Sequence, residues 1–458
     1  MNNNNYKNKN ITVIGAGVSG KGLAALAHDL GANVFVSEIK AIKPETKNFF
    51  DANNIEYEEG GNSERAFNAD IILLSSGIAP KSGFVQEAER RGVKLTGEID
   101  FVAPLIKADK IIGVTGSNGK STVTSLIGFM LNKSGLNVGT GGNLGTAAAD
   151  FTGKDFDAVV LELSSFQLER ANVLNNFIAV ITNLAPDHID WHGSYENYIA
   201  AKAKLIALRR NDGWGIIQDR DVKAIKRALN VKDLERVITL SWDKEPEHKL
   251  AGHIFMNEAE KCAVLSLDNK IINLFKFDET DLLGLHNLEN VAMSLSALYL
   301  MGVDISDAKF LLDDFKPLPH RCHNAGVIDG VLYVDDSKGT NVAASAMAMQ
   351  SVPGRKIIIL GGRGKGEDYA PLAEAVNKYA DAAVLLGEEA DAINKALLNI
   401  NFKNIYKAQD MSEAVKIAHD IAKPDMTVLL SPACTSWDMY SSYNQRGEHF
   451  CELVNKLK

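Results

Sequence analysis

Along this chain, short runs of apolar and often β-branched residues alternate with glycine-rich or polar turns and then with stretches whose apolar positions recur every three or four residues. Ile11 to Ile14, Ala32 to Glu38 and Asp70 to Ile78 are such runs near the start. Lys110 to Thr115, Asp157 to Leu163 and Phe177 to Thr182 follow, and Val331 to Asp335, Lys356 to Leu360 and Thr427 to Leu430 come last. Apolar runs bounded by turn signals predict buried strands, and the helical stretches between them predict parallel crossovers, hence an α/β fold. Ser194 reads as the N-cap of a helix from Tyr195 to Leu208, and Leu283 to Leu300 as a strongly apolar helix. Residues 211–282 mix short strands and turns and carry no readable motif.

With 458 residues and about 150 residues per domain, three domains are expected. The breaks are expected at 1–108, 109–315 and 316–458, the last marked by Pro317 and Pro319, which read as a linker. A net charge of -9 argues against a general nucleic-acid binder. The four cysteines are far apart and form no C-x-x-C pair, which points to reduced thiols in a cytoplasmic enzyme. No apolar run reaches the roughly 18 residues of a membrane span, and Met1 to Asn10 lacks the apolar core of a signal peptide. A soluble protein is expected.

The chemistry lies in the turns. Lys110 to Thr122 runs strand, glycine turn, helix, and spells T-G-S-N-G-K-S-T from Thr115. That is a variant phosphate loop, with Val114 where the strict pattern has glycine. Glycines let backbone N–H groups converge, the helix N-terminus and Lys120 add positive charge, and Ser121 offers a hydroxyl to magnesium. Gly116, Ser117, Asn118, Gly119, Lys120, Ser121 and Thr122 are thus expected to hold ATP. Upstream, Gly15-Ala16-Gly17-Val18-Ser19-Gly20 is a G-x-G-x-x-G with Glu38 closing the next strand. Alone this spells NAD and a dehydrogenase, although any diphosphate can sit on such a loop. A nucleotide-binding switch is the other rival. Glu162 ends an apolar run where an acid can orient magnesium. The loop from Asn183 to Gly193 carries Asp187, His188, Asp190 and His192, which suit either a metal site or a capped turn in water. Lys202 and Lys204 read equally as a solvated helix face. Asn287 and Asn290 share a helical face and could meet an adenine edge or cap the helix. Ligands gather at the carboxyl ends of parallel strands, so the three domains are expected to line one cleft.

Taken together, these motifs resemble the Mur ligase family, and within it the members that add D-glutamate. The general motifs are T-G-S-N-G-K-S-T, Asp187-His188, His286-Asn287 and His320-Arg321. The more specific ones are Leu161 to Glu169, Asp336 to Asn341 and Ser431 to Ser436. The resemblance spans the whole chain and implies a Rossmann-like first domain, a central ATP-binding phosphate-loop domain and a Rossmann-like third domain. It moves the first glycine loop from NAD to the diphosphate of UDP-N-acetylmuramoyl-L-alanine, with Gly15, Gly17, Val18, Ser19, Gly20, Glu38, Ser76, Gly77 and Asn143 around that substrate. It implies two magnesium ions, held by Ser121 and Glu162 and by His188 and a carbamylated Lys202. Asn287, Asn290, Arg321 and Asp336 would contact ATP. Lys338, Thr340, Lys365, Ser436, Trp437 and Tyr443, with His188, would lie near D-glutamate, with Lys120, Glu162, His188, Lys202 and Lys338 closest to the chemistry. The implied reaction is phosphorylation of a carboxylate by ATP and attack of the D-glutamate amine on the acyl phosphate. A monomer acting on small molecules is expected. One departure stands out: two positions after Arg321 the family often has an acid, and here His323 is found.

Overall fold

The computed structural model describes residues 5–242, 245–282, 284–316 and 318–457. Leu283, expected to open a helix, and Pro317, in the expected linker, lie outside them. Three sheets account for the strands among the described residues. The first has five parallel strands in the spatial order Glu56–Glu59, Asn33–Glu38, Asn10–Ile14, Ile71–Leu74 and Lys94–Gly97. The chain goes from Asn10–Ile14 to one side and then returns to the other. The turns after Ile14 and after Leu74 therefore flank a switch point, where a crevice opens at the carboxyl ends.

The second sheet has nine strands. Its core is parallel, with Lys107–Thr115 between Asp155–Glu162 and Asn176–Ile181. Val138–Gly142 lies outside Asp155–Glu162, and Arg209–Gln218, Val237–Trp242 and Gly252–Asn257 extend the other side. Cys262–Leu267 is added antiparallel, and Lys270–Lys276 takes the edge. Residues 211–282, without a motif in the sequence, thus lengthen this sheet. The glycine-dense stretch after Asn137 proves to be a strand because its neighbours leave no room for side chains: a Cβ on Gly141 would lie 2.2 Å from the Thr146 carbonyl oxygen.

The third sheet runs His323–Ile328, Val331–Asp335, Thr427–Leu430, Lys356–Gly361, Ala380–Leu386 and Ile405–Lys407, with only its first pair antiparallel. Apolar side chains cover both of its faces, Val334, Ile358 and Leu429 on one and Tyr333, Ile359 and Val428 on the other. The apolar runs read as buried strands are buried. The α/β architecture expected above is the one observed, with three sheets. By contacts the chain separates into two compact units. One comprises residues 1–184, 191–275 and 292–311, with the first two sheets; the other comprises 185–190, 276–291 and 312–458, with the third.

Candidate active site

In the first unit, the strand Asn10–Ile14 ends at Gly15, whose φ of +95° suits glycine. The helix Val18–Asp29 begins three residues later, capped by Gly17 without a side-chain acceptor. A Cβ on Gly20 would lie 1.8 Å from the Gly15 carbonyl oxygen, so the helix approaches the turn as closely as glycine allows. Both oxygens of Glu38 are engaged by main chain: Oε2 accepts from the Ala16 N–H at 2.8 Å and Oε1 from the Lys40 N–H at 2.9 Å. Glu38 therefore ties the glycine turn to the following strand. Ser19 donates to Glu98 at 2.6 Å, and burial pushes that carboxyl above its usual range. Val18 projects into solvent, 78% exposed. Ser75, preceding Ser76 and Gly77, lies against Gly15, its Oγ 2.3 Å from where a Cβ would stand.

The phosphate loop leaves the carboxyl end of Lys107–Thr115, with Gly116 at φ +148° and Gly119 at +80°. A Cβ on Gly116 would lie 1.9 Å from Thr182 Oγ1. The adjacent strand end clamps the loop. Asn183 Oδ1 accepts from the Asn118 N–H at 3.0 Å, its Nδ2 donates to the Asn118 carbonyl at 3.0 Å, and the Thr182 hydroxyl donates to the same carbonyl. The helix Lys120–Lys133 starts at Gly119, with Ser121 buried in its first turn. Lys120 Nζ donates to the carbonyls of Gly116 and Ser117, both at 2.8 Å. Val114 pairs with Glu162 in register, and Glu162 with Gly142 on its other side. Glu162 Oε1 accepts from Asn143 Nδ2 at 3.0 Å, which brings the candidate acid and the candidate amide together.

Lys202 does not lie on a solvated face. It is 2% exposed, and its Nζ donates to the Gly116 carbonyl at 2.7 Å. The ammonium also lies 4.7 Å from the Tyr198 ring centre, and the Tyr198 hydroxyl is 3.0 Å from Ser117 Oγ. Lys204, two positions on, donates instead to the Glu169 carbonyl at 2.6 Å. The expected cap holds: Ser194 Oγ accepts from the Asn197 N–H at 3.1 Å, opening the helix Tyr195–Ala207. His192 of the same loop is buried against Ser165, 3.0 Å away.

The second unit holds the remaining candidates, several of them in loops that follow strands of its own sheet. Asp187 accepts from Lys365 at 3.1 Å and lies 3.5 Å from His188 Nε2. Lys338 Nζ stands 4.1 Å from the ring centre of Tyr443, the first residue of the helix Tyr443–Asn455. Thr340 donates its N–H to the Lys338 carbonyl at 2.8 Å, which keeps that loop tight. Burial pushes Asp336 up to about 7, although Ser431 Oγ donates to it at 2.6 Å and the Cys322 N–H at 3.3 Å. Arg321 follows His320, whose φ of +61° turns the chain. Ser436 is buried in its turn, and the neighbouring Trp437 is 64% exposed. Asn290 Nδ2 donates to Asn287 Oδ1 at 3.0 Å, both side chains buried, so the pair is locked on one helical face. His286 bonds Ser351 at 3.0 Å and is lowered to about 4 by burial.

Several residues that shape the site have no local sequence signal. Arg446 is 2% exposed and donates to Ser337 and to the Cys434 carbonyl, joining the loops after two strands. Burial lowers it to about 10. His320 bonds Asp335 at 2.6 Å, and that contact raises its affinity for a proton. Asn183 and Tyr198 hold the phosphate loop from outside it. A lone arginine or tyrosine in a helix spells nothing until the fold brings its partners near.

Three family models match the chain: the MurD N-terminal domain over residues 10–84, the Mur ligase middle domain over 114–298 and the Mur ligase glutamate ligase domain over 320–434. Among relatives, the UDP-N-acetylmuramoylalanine--D-glutamate ligase of Pelotomaculum thermopropionicum is 35% identical over 461 residues, covering 99% of each chain. The enzyme of that name from Clostridioides difficile is 34% identical over 460 residues, again covering 99% of each. Among solved structures, a pseudomurein peptide ligase type C from Methanothermus fervidus aligns with a TM-score of 0.60 at 18% identity, covering 98% of this chain and 100% of that one. The MurF ligase of Thermotoga maritima, solved with ADP, aligns at 0.57 and 18%, covering 100% and 96%.

Proposed function

This chain belongs to the Mur ligase family, and on that premise we propose that it joins D-glutamate to UDP-N-acetylmuramoyl-L-alanine at the expense of ATP. The observation that carries the reading is the phosphate-loop wall: Lys120, Ser121 and Glu162 at neighbouring strand ends, with Asn143 on the Glu162 carboxylate. Residues 1–108 hold the UDP substrate, 109–315 the nucleotide, and 316–458 the amino acid and part of ATP.

The donor sets fit the groups assigned to them. Backbone amides around Gly116 and Gly119, where Cβ atoms are excluded or strained, suit phosphate oxygens. The Ser121 hydroxyl and Glu162 carboxylate are hard oxygen donors of the kind magnesium takes. When bound by Ser121 and Glu162, magnesium would supply neutralisation of charge on the transferring phosphoryl group. A carbamate on Lys202 would keep one N–H for the Gly116 carbonyl, and its oxygens, like the His188 imidazole, would be donors of the kind a second magnesium ion could take. Asn287, Asn290, Arg321 and Asp336 contact ATP, and Lys338, Thr340, Lys365, Ser436, Trp437 and Tyr443 surround D-glutamate with His188. Gly15, Gly17, Val18, Ser19, Gly20, Glu38, Ser76 and Gly77 line the UDP site.

A carboxylate is a poor acyl donor, so the γ-phosphoryl group passes to the carboxylate of the alanyl residue and ADP leaves. The amine of D-glutamate then attacks the acyl carbon, and phosphate departs with the C–O electron pair while the amine proton goes to solvent. Lys120 and Lys338 steady developing negative charge, each worth a few kcal/mol in a preorganised site. The enzyme acts as a monomer in the cytoplasm, with no membrane or nucleic-acid partner. No helix among the described residues is long and apolar enough to cross a membrane. Phosphate release should require ATP, the UDP substrate and D-glutamate together, and L-glutamate should not substitute. Release indifferent to the acceptor, or NADH binding in place of UDP by the full chain, would overturn the reading.

A further inference from the structure

His323, the residue that departs from the family pattern, opens the edge strand of the third sheet and pairs directly across from Asp335. Directly opposed residues point to one face, with Cβ atoms about 5 Å apart. The helix Tyr443–Asn455 packs over the same two strands and brings Cys451 to them. One ligand atom each from His323, Asp335 and Cys451 lies within 4.8 Å of the other two. Cys451 Sγ donates to Asp335 Oδ2 at 3.4 Å. Asp335 is fully buried, its other oxygen accepting from the Ser337 N–H at 2.9 Å, and His320 braces Oδ2 at 2.6 Å. Gly447, one helical turn before Cys451, keeps this pocket open: a Cβ there would lie 2.1 Å from His320 Nδ1 and 2.8 Å from Asp335 Oδ2.

We propose that His323, Asp335 and Cys451 form a binding site for a zinc-class divalent cation. The donors are one sulfur, one imidazole nitrogen and one carboxylate oxygen, a set that favours zinc or cobalt over magnesium. Three protein ligands leave a fourth position for water. Tetrahedral binding needs ligand atoms roughly 3.3–3.8 Å apart, and the Cys451 Sγ–Asp335 Oδ2 separation of 3.4 Å already lies in that range. Hydrogen-bonded carboxylates are the usual ligands of such sites, and His320 and the Ser337 amide already fill that supporting role. Cys451 Sγ donates its proton to Asp335, so it is S–H before the cation arrives. Binding forms the metal–sulfur bond and releases that proton to solvent. A second cluster, Asp219, Glu247 and His248, is built differently: the Glu247 and His248 N–H groups both donate to Asp219, which makes it a loop clamp.

The site is independent of the proposed ligase activity, and its test reads the metal directly. Cobalt(II) titrated into the reduced full-length protein should give sulfur-to-cobalt charge-transfer absorption that saturates at about one equivalent and is abolished by excess zinc. Cys451→Ser should abolish the band. His323→Gln, a change at an exposed edge position that leaves folding intact, should weaken cobalt affinity at least ten-fold. Cys262→Ser and His248→Ala should leave both unchanged. Absence of the band in the unmodified protein, its survival in Cys451→Ser, unchanged affinity in His323→Gln, or failure of zinc to displace cobalt would each overturn the assignment.

Discussion

The two glycine loops of the first unit share a grammar of strand, glycine turn and helix, yet they are built for different work. The loop at Gly15 carries no lysine, and its nearby acid, Glu38, is spent on main-chain N–H groups at Ala16 and Lys40. What it offers a diphosphate is backbone and a helix N-terminus. The loop at Gly116 brings two lysine nitrogens onto one carbonyl, Lys120 Nζ at 2.8 Å and Lys202 Nζ, the proposed carbamate nitrogen, at 2.7 Å. Binding calls for the first arrangement; phosphoryl transfer calls for charge concentrated where it develops. A G-x-G-x-x-G by itself therefore says little about chemistry. The side chains that converge on the loop from elsewhere decide it.

The largest expected effect separates the loops by charge. Lys120→Ala and Lys202→Ala should each lower turnover by about a thousand-fold or more while leaving UDP-substrate binding intact. Lys204→Ala, which loses only a bond to the Glu169 carbonyl, should keep most activity. Short carboxylates should partly rescue Lys202→Ala by supplying the lost carbamate oxygens. Steady-state kinetics at saturating magnesium with bicarbonate present decides this, and like behaviour of the Lys202 and Lys204 variants would return Lys202 to a packing role.

A smaller effect separates the loops by shape. Gly20→Ala forces a methyl group onto the Gly15 carbonyl and should destabilise by about 1–3 kcal/mol, with weaker UDP binding. Gly17→Ala meets nothing within 4 Å and should leave thermal stability close to unchanged. Thermal unfolding and UDP titration of the pair check it; equal losses would show that the close helix approach is not what forms the UDP loop.

The smallest effect tests whether backbone approach alone can hold such a turn. Gly284 also touches its neighbour closely, a Cβ there lying 2.6 Å from Ser351 Cβ, and that contact is kept by the His286–Ser351 bond. His286 is lowered to about 4 in the fold, against roughly 6.5 unfolded. The unfolded chain thus binds the proton more readily, so this stability is complete above the unfolded value and lost as pH falls toward 4. The loss should reach about 1–2 kcal/mol near pH 5, tempered by the partial exposure of the residue. His286→Gln should flatten that part of the melting profile between pH 7 and pH 4.5, and an unchanged slope would assign the acid lability to other groups.

Much of this was legible in the chain. The buried strands, the Ser194 cap and the turns at strand ends follow from contiguous residues, because apolar periodicity and glycine turns act over a few positions. The membership in an α/β ligase family was readable for the same reason, since each motif is an unbroken run. Residues 211–282 were not legible, because strands that add to an existing sheet need no motif of their own. Lys202 was ambiguous, since helical spacing cannot tell a face turned to solvent from one turned to a loop 86 positions away.

Only the tertiary structure decided which polar groups share a site. Arg446 reaches Ser337 across 109 positions, Ser431 reaches Asp336 across 95, and Cys451 reaches Asp335 across 116. Contiguous residues were enough to place the strands and the turns, because those depend on local backbone freedom and local patterning. The buried lysine, the braced carboxylates and the sulfur, nitrogen and oxygen at one edge depend on chain closure. Their partners come from distant parts of the chain, and such proximity is a property of the packed whole.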